Sequence, residues 1–371
     1  MKKSLVPIYS FILLLLIISC SKKNNDDQLT YQVSKLKHGY YDSYAFLLEQ
    51  NQTSVNTLNS KINSFYNLPV IANFQQSKDS WLNANENFLL IGPYRYISST
   101  QNPFNGNESY FDLYPINPSF IDYTATSPGS GIVSDAVNYP SITSYNLEGW
   151  HLQGSATNAT VGYHCIEFML WGEDNNTNGP GQRIHQDFVG NGTTEARRRQ
   201  YLYSASLSLQ QKTSTLSIVA LKESLIQSSP KATLKLMFDG LLSYIKNDVA
   251  EKCLLTPYNS QSQADEISQF SDNTNSDIKT KIRAISLYLD PRPLFVSHSD
   301  YYLIDFIKEK DSDTYDKVSV LLETLSNEAG GWQNSFDNAL TNSSDRAKIY
   351  QLYQHLIELH SLLDAFASKF E

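Results

Sequence analysis

Residues 162–172 read Gly-Tyr-His-Cys-Ile-Glu-Phe-Met-Leu-Trp-Gly, an apolar segment of helix length that contains two side chains able to bind metal. His164 and Glu167 are three residues apart, so a helix places them on the same face. Neutral imidazole and carboxylate both bind divalent first-row metals, and such pairs recur in the cores of helical bundles. The same spacing fits a buried histidine that is hydrogen-bonded to a glutamate without any ligand. Both interpretations stand at this point.

The N-terminus has the pattern of an exported bacterial lipoprotein. Two lysines follow Met1, and residues 12–18 form an apolar run too short for a permanent membrane span. The run ends in Cys20, at the position where a lipobox places the cysteine that receives lipid. We therefore predict a signal peptide over residues 1–19, a lipid on Cys20 and a polar tether over residues 20–30. Such an anchor holds a protein at a membrane without a transmembrane helix, and we expect the outer membrane, on its periplasmic or surface face.

Charge and cysteine content limit the classes of partner. Removing residues 1–19 takes away two lysines and no acidic residue, so the net charge changes from −9 to −11. This acidity argues against a nucleic-acid partner and is compatible with cation binding, although a solvated acidic surface explains it equally well. Cys165 and Cys253 are the two cysteines beyond Cys20, and we expect both to be buried and free.

Apolar residues at helical spacing predict a mainly α protein. The predicted helices cover residues 31–66, 70–90, 161–171, 195–227, 231–251, 300–310, 313–329 and 346–370. Residues 93–160 are rich in Pro, Gly, Asn, Ser and Tyr, and a segment of this length without clear periodicity is usually functional.

Several local signals refine this prediction. Ser229 and Pro230 form an N-cap and first-turn pair, and residues 252–265 are expected to form a loop. Thr274 with Asp277 has the form of a capping box.

Two further groups of polar residues have an ordinary explanation. The arginines at 197–199 are expected to form a solvated helix face, with one guanidinium turned toward an anion as the alternative. His355 and Glu358 repeat the His-x-x-Glu spacing but lie off the apolar stripe of their helix, so we expect them to be solvated. The sequence contains no His-Glu-x-x-His, Gly-x-Ser-x-Gly, P-loop or Rossmann glycine pattern.

Taken in order, the motifs resemble those of the imelysin family, a group of periplasmic and surface-anchored bacterial proteins. Gly162, His164 and Glu167 match its Gly-x-His-x-x-Glu signature. The other similar segments are Asp112-Leu113-Tyr114-Pro115, Ile121-Asp122-Tyr123, Arg199-Gln200-Tyr201-Leu202, and residues 266–274 followed by Asp277. Tyr114 stands where the family usually has Trp, and Asn85 lies near a position that is Arg in many relatives.

This resemblance implies an all-α fold of two packed helical bundles, with a long irregular segment near the domain interface. We accordingly expect an N-terminal domain over residues 31–205 and a C-terminal bundle over residues 206–371. The resemblance also implies a shared cleft in which His164 and Glu167 bind metal, with Asp272 and Glu266 as further candidates. The residues expected to contact a ligand there are Gly162, Ser268, Ser271, Asp272, Asn273, Asp122 and Tyr123.

The resemblance leaves more than one function open. Members of the family are classed as metallopeptidases, and other members are linked to iron uptake. A zinc hydrolase normally needs three protein ligands, a bound water and a general base, whereas His164 and Glu167 supply two ligands. We therefore expect a lipid-anchored binding protein for iron or haem acquisition, with iron as the metal and zinc as the alternative. Its expected partners are the membrane and components of iron or haem uptake. A metallopeptidase, or a non-catalytic surface module held by a structural His/Glu network, remains an alternative.

Overall fold

The computed structural model describes residues 6–176, 179–190, 192–294, 299–332 and 334–370, with side chains from residue 27 onward. These residues form helices, turns and a single isolated bridge, and they contain no β-strand. The predicted all-α class is therefore confirmed. Within the same residues, no helix combines the length and the apolarity that crossing a membrane requires. The predicted lipid attachment at Cys20 lies outside the part of the chain whose side chains are described.

The described residues contain sixteen α-helices. They are α1 Val6–Asn67, α2 Ile71–Leu90, α3 Gly92–Arg95, α4 Pro118–Ile121, α5 Gly131–Ser134, α6 Ser144–Trp150, α7 Tyr163–Trp171, α8 Thr193–Thr215, α9 Val219–Gln227, α10 Pro230–Ser243, α11 Thr256–Ser260, α12 Thr274–Leu289, α13 Leu303–Lys310, α14 Ser312–Glu328, α15 Phe336–Ala339 and α16 Ser343–Ala367. A π-helix, Tyr244–Leu255, connects α10 to α11. Short 3₁₀ turns lie at Glu108–Tyr110, His185–Phe188, Gln263–Asp265 and Ser368–Phe370.

The N-terminal half is built around α1, which packs along both α2 and α8. Helix α7 contacts α2 and α8, and all of its residues are buried. Its surroundings are aromatic: Trp81 lies edge-on to Trp171, and Phe88 packs against Tyr163. The segment that carries the Gly-x-His-x-x-Glu motif is therefore a core element of the fold.

In the C-terminal half, α16 packs against the π-helix, α10 and α14. Helix α12 contacts the π-helix and α14 as well as α2, so it connects the two halves. The buried apolar side chains form one continuous cluster through both halves. The division at residues 205/206 stays a prediction, and α8 continues through that point as one helix.

Three predicted helix boundaries were wrong. The helix expected to begin at residue 31 begins at Val6, so it also covers residues 20–30, which were expected to form a tether. The single helix expected over residues 195–227 is α8 followed by α9, because the chain turns to bury Leu216 and Ile218 while Gln52 donates to the carbonyls of Thr213 and Leu216. The loop expected over residues 252–265 is helical as far as Ser260, because Cys253 and Leu254 continue the buried face.

The capping predictions had mixed outcomes. Ser229 accepts from the Ala232 backbone N–H, which confirms the N-cap of α10. The capping box of Thr274 and Asp277 was wrong: Asn273 is the N-cap residue of α12 and makes no side-chain capping bond.

Candidate functional site

The entry to α7 requires a glycine. Gly162 has a φ of +97°, and a β-carbon there would come within 2.8 Å of the Phe111 carbonyl oxygen. The same carbonyl accepts from the Tyr163 backbone N–H at 3.0 Å. A side chain at position 162 would separate these two segments, so Gly162 fixes α7 against the chain that carries Asp112.

The His164 imidazole lies between two carboxylates. Its Nδ1 is 3.0 Å from Glu167 Oε2 and its Nε2 is 3.1 Å from Asp112 Oδ1. All three side chains are nearly or completely buried. An imidazolium donates from both ring nitrogens, so this geometry suits a protonated histidine.

Glu167 is the acceptor that anchors a distant loop. Its Oε1 accepts from the backbone N–H of Phe270 at 3.1 Å, from the backbone N–H of Ser271 at 2.8 Å and from the Ser271 hydroxyl at 2.7 Å. Its Oε2 bonds to His164, so both carboxyl oxygens of Glu167 are hydrogen-bonded. Glu167 therefore ties residues 270–271 to α7.

Positive side chains flank the same group. Arg95 Nη2 donates to Asp112 Oδ2 at 2.8 Å, and Lys281 is paired with Asp248 nearby. The Lys252 ammonium lies 3.7 Å from the centre of the Tyr114 ring. The Arg95 Nε and Nη1 atoms and the Tyr114 hydroxyl are buried without a hydrogen-bond partner.

These contacts determine the protonation of the central residues. Burial lowers the pKa of His164, but its hydrogen bonds to Asp112 and Glu167 outweigh burial and raise the pKa to about 9. Burial raises the pKa of Asp112, yet Arg95 and His164 hold that pKa well below its usual range. At neutral pH, the site therefore contains an imidazolium and an ionised Asp112.

This protonation predicts a pH dependence of stability. The folded-state pKa of about 9 lies above the unfolded value of about 6.5, so the contribution of His164 is complete below pH 6.5 and is lost as pH rises through 9. We expect a loss of about 3 kcal/mol between pH 6 and pH 10 from this group. Urea unfolding at intervals of one pH unit would measure it. His164→Gln should have a flatter profile, and an identical profile would contradict the assignment.

The second predicted motif reaches this site in part. Ser271 contacts Glu167, and Ser268 is buried, with its backbone N–H donating to the Thr274 hydroxyl. Asn273 and Asn85 both donate to the Asp277 carboxyl, at 2.8 and 2.9 Å. Burial raises the pKa of Asp277 to about 7.

Asp272 and Glu266, the predicted further metal ligands, have a different setting. Burial raises the pKa of both carboxyls, and the charges of Asp337 and Asp174 raise it further. Glu266 is also bound by the Thr274 hydroxyl. The structure therefore groups these two carboxyls with other acids.

Asp122 and Tyr123 belong to a separate buried ion cluster. Asp122 is fully buried and accepts from Arg183 at 2.8 Å and from Arg198 at 2.6 and 3.1 Å. The Tyr123 hydroxyl donates to Asp187 at 2.5 Å. The solvated face expected for the arginines at 197–199 was thus wrong for Arg198, and the alternative of one guanidinium turned toward an anion is confirmed.

The other sequence candidates are placed clearly. His355 Nδ1 lies 2.7 Å from Glu328 Oε2 on α14, so it is half-buried and paired, contrary to the expected solvation. Glu358 is exposed. Cys165 and Cys253 are both buried and free, as predicted.

The group around His164 fits a resident metal only in part. Two donor atoms, His164 Nε2 and Asp112 Oδ1, lie at the spacing of adjacent ligands: two atoms about 2.1 Å from a metal at right angles are about 3.0 Å apart. Among the described residues, no group of three His, Cys, Asp or Glu side chains is arranged to hold a metal ion. Arg95 and Lys281 also place positive charge close to Asp112. The described residues therefore supply two metal donors and lack the third protein ligand of a catalytic zinc site.

Sequence reasoning missed three members of the group. Asp112 was noted within a motif but not as a partner of His164, and Arg95 and Lys281 carried no signal of their own. The Asp112-Leu113-Tyr114-Pro115 segment was the one available hint.

Comparisons with known proteins support the all-α fold. The family model described as Imelysin, Peptidase_M75, matches residues 41–363. A solved structure from Parabacteroides distasonis ATCC 8503, described as "a putative iron-regulated protein A precursor", superposes with a TM-score of 0.71. It is 13% identical, and the alignment covers 93% of this chain and 96% of that chain. No curated protein sequence matches the chain.

Proposed function

Because the chain belongs to the imelysin family, we propose that it is a lipid-anchored envelope protein that binds iron for acquisition and does not hydrolyse peptides. The observation that carries this proposal is the position of His164 between Asp112 and Glu167. Glu167 holds Nδ1 of the imidazole, which leaves Nε2 and Asp112 Oδ1 as the pair that can meet a metal.

This arrangement is typical of metal-binding histidines. A carboxylate that accepts from one ring nitrogen fixes the ring orientation and raises the basicity of the other nitrogen. In this proposal Glu167 orients His164, and Asp112 takes the place of Glu167 as the carboxylate ligand.

The positive charges favour iron as a cargo that brings its own anionic ligands. Two protein donors are too few for a zinc hydrolase, which normally has three and a bound water. The unpartnered Arg95 nitrogens and the partly buried Lys252 ammonium suit carboxylate groups of a small iron chelate. Haem is the alternative cargo. It is larger than a chelate, but its propionates are carboxylates and could pair with the same Arg95 and Lys252 side chains.

The comparison with the Parabacteroides structure supports an iron-related role through that protein's description. The predicted lipid on Cys20 would hold the protein at the outer membrane, where iron enters the envelope. Other components of iron or haem uptake are its proposed partners.

Metal retention tests the proposal. The chain from Ser21, without a metal-binding tag, would be incubated with ferrous ion, ferric citrate, haem or zinc, dialysed, and analysed by mass spectrometry and haem absorbance. We expect near-stoichiometric iron in the wild type, with more at pH 8.5 than at pH 6.5, because the metal must displace the proton from His164. His164→Ala and Asp112→Asn should each lose at least tenfold in affinity, and Glu167→Gln less.

His355→Ala is the matched control, because it removes a half-buried, carboxylate-bonded histidine elsewhere on the chain. Selective zinc retention would favour the metallopeptidase. Absence of metal from every variant would contradict the proposal and leave a structural network. Both carboxyl oxygens of Glu167 are already hydrogen-bonded, so a structural network is a better second candidate than a peptidase.

A further inference from the structure

A cavity of about 400 Å³ lies between α1 and the segment that runs from α9 into α10. Val33, Lys37 and Tyr41 of α1 line one side, and Lys222 and Leu225 of α9 line the other. Pockets for small ligands usually measure roughly 300–1,000 Å³. This α1–α9 cavity shares no lining residue with the group around His164, so the proposed iron function does not explain it.

Part of the lining is apolar. Val33 and Leu225 are 1% and 3% exposed, and Pro230 lines the cavity beside them. Ile226 also lines it and is 60% exposed, so it lies at the rim. An alkyl chain in the cavity would bury its own surface and that of Ile226, which is favourable in proportion to the apolar area removed from water.

The charged and titratable nitrogen groups of the lining complement an anion. Lys37, His38 and Lys222 line the cavity, and no Asp or Glu is among its described lining residues. The chain as a whole has the opposite balance, with a net charge of −9. A concave surface that carries charge of one sign attracts ligands of the other sign.

Both lysines keep the capacity to bind such a ligand. Lys37 Nζ donates to the Ser228 carbonyl at 2.7 Å and to the Ile226 carbonyl at 3.4 Å, and Lys222 Nζ lies 4.0 Å from the centre of the Tyr41 ring. The ion pairs of the described lysines involve other lysines. An ammonium carries three N–H donors, so each of the two has a donor left for an anionic oxygen.

We propose that the α1–α9 cavity binds an amphipathic anion, an alkyl chain that ends in a carboxylate or a phosphate monoester. Val33, Leu225 and Ile226 contact the chain, and the two lysines pair with the head. Both kinds of head present the charged oxygen acceptors that an ammonium binds.

The position of the cavity agrees with a ligand of this kind. Helix α1 continues from Val6 through the cavity, and the first lining residue, Thr30, lies ten residues after Cys20. Ten residues of helix span about 15 Å. With the predicted lipid on Cys20, the cavity is held near the membrane, where alkyl chains partition.

Calorimetric titration of the chain from Ser21 with octanoate, decanoate and decyl phosphate tests the proposal. We expect saturable binding of one ligand per chain. Decanoate should bind roughly tenfold more tightly than octanoate, because two more methylene groups are buried. Decyltrimethylammonium, which has the same chain and the opposite charge, should bind at least tenfold more weakly than decanoate. Circular dichroism at each ligand concentration would verify that the helices persist.

Two cavity variants should each lose at least tenfold in decanoate affinity. Ser34→Trp fills the cavity from an exposed position on α1, so it removes no core contact. Lys37→Gln combined with Lys222→Gln removes both charges and keeps an amide donor at each position. Lys308→Gln is the matched control, because Lys308 lies 4.8 Å from the Tyr315 ring and is absent from the lining, and it should bind decanoate as the wild type does.

Binding of decanoate alone, or of decyl phosphate alone, would support the proposal and identify the head. Three results would each overturn it: no saturable binding of either anion, equal binding of decyltrimethylammonium, or wild-type affinity in both cavity variants. His164→Ala should keep its decanoate affinity whatever metal it retains. Failure of the iron proposal and failure of this one are therefore distinguishable.

Discussion

Replacing Glu167 with alanine is expected to lower the free energy of unfolding by about 3–5 kcal/mol, because it breaks a buried ionic network by removing one partner. The Phe270 and Ser271 N–H groups lose their acceptor, and the His164 imidazolium loses one of its two carboxylates. Buried donors that are left without a partner carry their full desolvation penalty. Urea unfolding followed by circular dichroism would measure the loss.

Glu167→Gln is the matched control. It keeps the size of the side chain and one carbonyl oxygen, so the N–H groups of Phe270 and Ser271 keep an acceptor, and we expect less than half the loss. Hydrogen exchange at residues 266–273 should rise in the alanine variant more than elsewhere. A loss below about 1 kcal/mol would show that this network does not hold the loop in place.

The sequence predicted the parts of this network that lie within one helix. The contact between His164 and Glu167 follows from three-residue spacing, which is a local rule. Asp112 lies 52 residues upstream of His164, and its position depends on the path of an irregular segment that no periodicity describes. Its partner Arg95 lies at the end of α3, directly after α2, so the contact of Arg95, Asp112 and His164 joins three separate segments and could not be predicted from spacing.

The fold shows the same difference between local and distant information. Helical class and most helices followed from apolar periodicity, because burying one face of a helix requires it. The break after Thr215 carries no Pro or Gly signal, and Gln52 on α1 bonds there to the carbonyls of Thr213 and Leu216 at the C-terminal end of α8. The π-helix, Tyr244–Leu255, likewise continues a buried face past residue 251, where the sequence predicted a loop. At both places, the break after α8 and the helix past residue 251, tertiary contacts override the local secondary-structure preference of the sequence.

Arg198 shows why charge patterns alone mislead. Three consecutive arginines on a predicted helix usually face water, yet Arg198 turns inward. Its carboxylate partner, Asp122, is 76 residues upstream. The Arg197 guanidinium is also engaged, with the carbonyls of Val133 and Ile132. The start of α8 is therefore a junction that binds the irregular segment to the helices.

Asp122→Ala is expected to destabilise the protein by about 3–5 kcal/mol, because Asp122 is the shared partner of two buried guanidinium groups. Its Oδ2 accepts from Arg183 and Arg198, whose side chains are 1% and 7% exposed. Without the carboxylate, two positive charges remain close together in the interior. Chemical unfolding of purified variants would measure the difference.

Two control variants separate the loss of the Asp122 charge from the loss of its packing. Asp122→Asn keeps the shape and one acceptor oxygen and should lose less, and Asp313→Asn, which removes an exposed carboxylate, should leave stability nearly unchanged. If the charge of Arg198 causes the loss, adding Arg198→Leu to Asp122→Ala should cost less than the two separate effects together. Additive losses would contradict a direct ionic coupling and assign the role of Asp122 to packing. The coupled result would identify Asp122 as the residue that fastens the irregular segment to α8, independently of any ligand at His164.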